Sequence, residues 1–393
     1  MRKMTSDQPV LVAVFLRGAI DGLNVVVPYG DADYYALRPT ISIAPPGGSA
    51  GPLPLPIPII GSSGQVAIDL DGFFGLHPSL APLEAMYAAG ELAAVQATGL
   101  PQPDRSHFSA QLRMEVAGGA RRAAGGWLGR YLAVSAQASQ QSLRGISIGV
   151  ALDQALAGSD SAAAIANSAN YALQTATPEA WRAGLPGLHR DVGFEFRGVQ
   201  QRVFAALDLL AQARPADIAT DPAATYPADA LGERMRQAAQ YIKAGMGIEA
   251  ITLNSDGWDH HVNENTVLPP LLTSLGQALA ALRVDLGAHW QRTAVVVMSE
   301  FGRTVNENAS GGTDHGRANM MLALGGRIAG GRVYGEWPGL AATNLDPTGD
   351  LAVRTDYRAV LADLLSGHMG LAGADIRHVF ADLPGGDRPG LVL

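Results

Sequence analysis

Short runs of branched apolar residues alternate along the chain with longer amphipathic stretches. Val10 to Phe15 is the first such run, and it ends in Arg17-Gly18 and Asp21-Gly22. Leu92 to Thr98, Gly247 to Leu253, Thr293 to Met298 and Ala318 to Gly325 follow, with Ile146 to Val150 as a shorter one. Apolar runs of this length, bounded by turn residues, predict strands covered on both faces. Helical spacing fills the intervals: Leu76-His77-Pro78 through Met86 to Ala89 with Gly90 as a stop, then Gly198 to Gln212, Asp229 to Gly245 and Leu268 to Leu286. Another helix starts at Ser106, with Phe108, Leu112 and Val116 along one face, since Pro101 and Pro103 keep the preceding segment non-helical. Thr355-Asp356 caps a last helix, Tyr357 to Leu365. The alternation predicts an α/β three-layer sandwich, a large and mostly parallel sheet with helices on both faces.

Residues 9–393 read as one domain. Within it, residues 44–61 are too rich in Pro and Gly for a helix or a central strand. Residues 119–250, rich in Ala and Gln, read as a helical insert above the sheet that roofs the site. Of 393 residues, 47% are hydrophobic and 16% charged, which supports a large core and argues against global disorder. The net charge of −8 comes without a basic run, so nucleic acid is not an expected partner. The absence of cysteine removes disulfides, thiolate nucleophiles and Cys-bound zinc. Pro9 to Leu16 is too short for a leader's apolar core and reads as the first strand, behind a tail. No stretch reads as a bilayer span. A soluble protein is expected, cytoplasmic or periplasmic, with its oligomeric state open.

Candidate chemistry collects at the strand ends. Asp21 follows the first strand and Arg105-Ser106-His107 the second; Asp256, Asp259, His260 and His261 follow the third; Glu300 follows the fourth, and Asp314-His315 precede the fifth. In an open parallel sheet the carboxyl ends share one edge, where ligands bind. Mixed carboxylates and imidazoles suit zinc or another borderline divalent ion. A serine at a helix start beside such an ion fits a nucleophile, and the free N–H groups of the helix start attract an anion that Arg105 could grip. Simpler readings stand beside these: Asp21 as a turn residue, Ser106 as a cap, Glu300 paired with Arg303, and His77 as a loop histidine.

The segments FLRGAIDGLNVVVPYGDADYYALRPTISI, GLPQPDRSHFSAQ, GWDHH, SEFGRTVNENASGGTDHG and GGRVYGEWPGL resemble, in order, the bacterial family known as domain of unknown function 1501. That family is similar to the alkaline phosphatase and sulfatase superfamily of metal-dependent α/β enzymes. The resemblance implies a hydrolase or transferase acting on a small phosphate or sulfate ester. Ser106 would be the nucleophile, assisted by Arg105 and His107, and Asp21, Asp259, His261, Glu300 and His315 would be metal ligands. The alternative acid–histidine pair is Asp256 with His260. Phe301 stands where a second-metal ligand is usual, so one ion is expected, zinc foremost, with manganese or calcium as alternatives. A non-catalytic binding relative and a metal-assisted biosynthetic enzyme of another class are the rival implications.

Overall fold

Among the described residues the apolar runs pair in space through twelve short strands. In chain order they are β1 (Val10–Leu16), β2 (Val26–Val27), β3 (Ile68–Asp69), β4 (Gly75–Leu76), β5 (Leu92–Gly99), β6 (Gly145–Ser147), β7 (Ala162–Ala164), β8 (Ala250–Ser255), β9 (Thr293–Met298), β10 (Asn319–Gly325), β11 (Arg332–Tyr334) and β12 (Thr355–Asp356). The computed structural model describes residues 8–47, 65–118, 125–135, 141–171, 194–385 and 388–393, with scattered positions between 175 and 184. Most of the Pro- and Gly-rich loop, and parts of the 119–250 segment, lie outside the described residues.

β2, β4 and β3 form a small antiparallel ribbon, and the other nine strands form the main sheet in the order β11-β5-β10-β9-β1-β8-β6-β7, with β12 also on β5. β1 is parallel to β8 and β9, β6 is parallel to β8 and β7, and β11 and β12 are parallel to β5. β10 runs antiparallel to both β5 and β9. The carboxyl ends of β1, β5, β8 and β9 therefore share one edge with the amino end of β10. A residue placed before β10 meets residues placed after the other four.

β1, β9 and β10 are buried along their whole length. Their side chains alternate between two cores, as a period of two requires. Val10, Val12, Val14 and Leu16 enter one core, packed by the helices Ala230–Lys243 and Glu264–Leu286; Leu11, Ala13 and Phe15 enter the other, packed by Trp127–Val134 and Tyr357–Asp363. Two cores on one sheet make three layers.

One expectation stands and two change. The helix Glu264–Leu286, together with the turn to Arg292, is long and apolar enough to cross a bilayer by composition. However, Leu268, Leu272, Leu275, Leu279, Leu282 and Leu286 are all buried in the core, so it is no clear membrane span. The 119–250 segment is not only helical, because β6 and β7 extend the main sheet at one edge. On the helix His107–Val116, Phe108 is 91% and Leu112 49% exposed, so the stripe that predicted the buried face points to solvent. Ala110 and Met114 pack inward instead.

A buried ion pair pins the added edge. Arg144, just before β6, donates to Glu249, just before β8, and to the Leu132 carbonyl; Tyr131 Oη donates to Glu249 Oε2 at 2.9 Å. Both charged side chains are almost fully buried. Glu249→Ala would leave the guanidinium uncompensated, and denaturant titration is expected to show a loss of about 3–5 kcal/mol. A loss below about 1 kcal/mol would mean the pair does not hold this edge.

Candidate metal centre

Three histidines from three rim segments meet with one carboxylate. His315 Nε2 lies 3.0 Å from His107 Nε2 and 3.0 Å from His261 Nε2. Asp259 Oδ1 lies 3.0 Å from His261 Nε2 and 3.5 Å from His315 Nε2, and Oδ2 lies 3.5 Å from His107 Nε2. The ligand atoms of His107, Asp259 and His315 all fall within 4.8 Å of one another.

The other ring nitrogens decide the protonation. His107 Nδ1 sits 2.8 Å from Glu300 Oε1, His261 Nδ1 2.8 Å from Asp314 Oδ1, and His315 Nδ1 2.9 Å from the Arg105 carbonyl. Two of these partners are carboxylates in their ordinary charge state and one is a carbonyl, so each Nδ1 is a donor. In the neutral imidazoles all three Nε2 atoms then carry lone pairs, turned toward each other and toward a carboxylate. Such a set repels itself unless a cation or a proton sits among it. Outward Nδ1–H bonds to carboxylate or carbonyl are the usual supports of metal-binding histidines. Two nitrogens on one tetrahedral zinc would sit roughly 3.3–3.4 Å apart, from Zn–N bonds of about 2.0–2.1 Å. His107, Asp259 and His315 therefore have the donor types and spacing to hold a divalent ion, and His261 adds a fourth donor beside His315 and Asp259.

The surroundings keep the acids ionised. Burial opposes charge on Asp259, but the hydrogen bond and charge of Arg303 outweigh it and hold the carboxyl below its ordinary range. Arg303 is buried and also donates to the carbonyls of Ala19, Thr313 and Gly18. Burial likewise opposes Glu300, yet donors from Gln111, His107 and the Gly18 N–H hold it low. The Gly18 amide reaches Glu300 because Gly18 has φ +121°, and a Cβ there would stand 2.6 Å from the Asp259 nitrogen. No other residue fits. Desolvation lowers the His315 pKa, which favours the neutral imidazole. Phe301 is buried beneath the cluster, its ring 5.1 Å from that of His107 and 5.0 Å from that of His315.

The cluster gathers some of the residues expected from sequence and leaves others beside it. His107, expected to assist catalysis, points Nε2 into the cluster, whereas Glu300, expected as a ligand, orients His107 from behind. Glu300 is not paired with Arg303. Asp21 caps the turn at Leu23, and Arg38 Nη2 donates to its Oδ1 at 3.1 Å. Ser106 does start the helix, with its side chain exposed and making no cap bond. The Arg105 Nη2 donates to Asp350 and Thr348. Asp314 supports His261. Of the two acid–histidine pairs, Asp259 and His261 converge. Asp256 is exposed, while His260 is buried and its pKa lowered to about 4 by desolvation. His77 caps the turn Pro78–Leu83, its Nδ1 accepting from the Ser79 N–H.

Residues 8–382 match the model of a family described as a protein of unknown function, DUF1501. The chain belongs to the DUF1501 family. No curated protein matches it.

Within this DUF1501 chain, sequence reading missed Arg38, Glu264 and Gln111. Gln111 had a signal: it lies four residues after His107, on the same helix face. Glu264 accepts from Asn24 at 2.8 Å and from Thr313 at 3.0 Å, inside the same buried group as Asp21 and Arg38. Burial, and then the charge of Asp21, push Glu264 well above the ordinary carboxylate range. Burial opposes the charge of Asp21, but Arg38 holds it low. Glu264 is thus the member that keeps its proton. A raised folded pKa means the native state binds more protons than the unfolded chain above the ordinary Glu value, so its stabilising share is lost as pH rises through the folded value. Glu264→Gln is expected to flatten that decline and to be more stable than the wild type on the alkaline side, with the gap closing below about pH 4. Parallel melting curves across pH would overturn this assignment.

Proposed function

We propose that His107, His261, His315 and Asp259 hold one divalent ion of the zinc type, and that the protein is a metal-dependent hydrolase or transferase acting on a small phosphate or sulfate ester. The observation that carries the metal assignment is the outward anchoring of all three Nδ1 atoms, which leaves three Nε2 lone pairs facing a carboxylate. When bound, such an ion supplies Lewis-acid polarisation of the ester group. Asp21 already has its positive partner in Arg38, and Phe301 fills the floor, so the reading takes one ion and not two.

The ester reading rests on the likeness to the alkaline phosphatase and sulfatase superfamily and on Ser106. Its hydroxyl is exposed, has no hydrogen-bond partner among the described residues, and adjoins His107. Ser106 does not cap the ten-residue helix it starts, so amides of the first turn stay available to an anion. Ser106 Oγ would bond to phosphorus or sulfur as the ester oxygen leaves with a proton, and water would then release the group. Asp259 favours a second reading, metal binding without turnover, because a fourth protein ligand can close a tetrahedron.

Metal analysis after loading with Zn²⁺ is expected to find about one ion per chain and essentially none in His315→Ala. Glu300→Ala is expected to weaken metal affinity about 10–100-fold. Ser106→Ala should keep the ion and lose turnover of aryl phosphate or sulfate esters by at least about 100-fold. A loaded wild type inert on every ester selects the binding reading, and a chain that takes up no ion removes both.

A further inference from the structure

A cavity of about 390 Å³ opens at the edge of the sheet opposite the histidine cluster. It is lined by Pro9, His289, Gln291, Arg292, Arg327 and His368, together with Ala288. Pro9 immediately precedes β1, Arg292 immediately precedes β9, and Arg327 follows β10, so three core strands converge on it.

Its charged lining is cationic. Arg292 is fixed in place: Nη1 donates to the Gln8 carbonyl and Nη2 to the Ile242 carbonyl, each at 2.8 Å. Its Nε donates to His289 Nδ1 at 3.2 Å, so a neutral His289 carries its proton on Nε2 and can donate. Burial, then the charges of Arg292 and Lys243, lower the His289 pKa and keep that neutral form. His368 donates from Nε2 to the Val10 carbonyl at 3.2 Å, and burial lowers its pKa to about 4, so it too is neutral. Arg327 is exposed and has no carboxylate partner among the described residues. The nearby Asp285 is committed to Lys243 at 2.6 Å and to the Asp221 N–H at 2.7 Å, and does not line the cavity.

Two guanidiniums, an imidazole N–H and a glutamine amide thus surround a space that no carboxylate lines. The volume lies in the range of small-molecule sites, and planar guanidinium groups match oxyanions with paired, charge-assisted bonds. We propose that this cavity is a second binding site, separate from the histidine cluster, for a small molecule carrying a phosphate group. Arg327 makes the specific grip, because it is the arginine not spent on backbone carbonyls.

The test is calorimetric titration of the full chain with inorganic phosphate and with phenylphosphonate, which stands in for an ester that cannot be cleaved. Both are titrated into His315→Ala, so that the histidine cluster cannot contribute, and into the same protein carrying Arg327→Glu. Binding is expected in the first and at least about 10-fold weaker in the second. Tighter phenylphosphonate than phosphate assigns the site to an ester, and the reverse assigns it to the free ion. Equal binding by both proteins, or none in either, overturns the proposal. Arg327 is exposed, and matched thermal melts of the two proteins confirm that the charge reversal leaves the fold intact.

Discussion

Three imidazoles and a carboxylate, with His315 and Asp259 each close to both other histidines, define what the rest of the rim has to do. Left to itself such a group would spread apart or take up protons. Each histidine is instead held from behind: His107 by Glu300, His261 by Asp314, and His315 by the Arg105 carbonyl. Glu300 is held in turn by Gln111 and by the amide of Gly18, and Asp259 by Arg303. The arrangement is a set of supports converging from four strand ends, and their register depends on β10 running against its neighbours. With β10 parallel, His315 would emerge at the opposite edge from its partners.

Much of this was legible in the chain. The strands could be placed because buried apolar runs end in polar residues, and the polar residues at those ends did gather. What could not be read was the order of support. Nothing in a sequence distinguishes an acid that faces the centre from one that stands behind it, so the positions of Glu300 and His107 exchanged. Asp21 met Arg38, seventeen residues on, only because the turn after β1 folds Arg38 back beneath it, a contact with no periodic signature. Hydropathy misdirected the reading at the helix His107–Val116, where His107, Gln111 and Glu115 face inward to Glu300 and Arg17 while Phe108 faces water. A polar stripe turned toward a charged centre looks, by composition, like a solvent face.

The two carboxylates near Arg38 show the same logic with a different outcome. One guanidinium supports one ionised acid, and the second acid, Glu264, keeps its proton. Arg303 likewise supports one acid, Asp259, and leaves its remaining donors to carbonyls of the chain. Each of these two buried guanidiniums is thereby matched to one ionised acid, and Glu300 is held by neutral donors instead.

Phe301 closes the underside of the cluster, while His261 and Asp259 remain substantially open to solvent on the other side. The cluster is thus packed on one face and wet on the other. Its two open members meet whatever is dissolved around the protein first, while the ring of Phe301 keeps the opposite face dry.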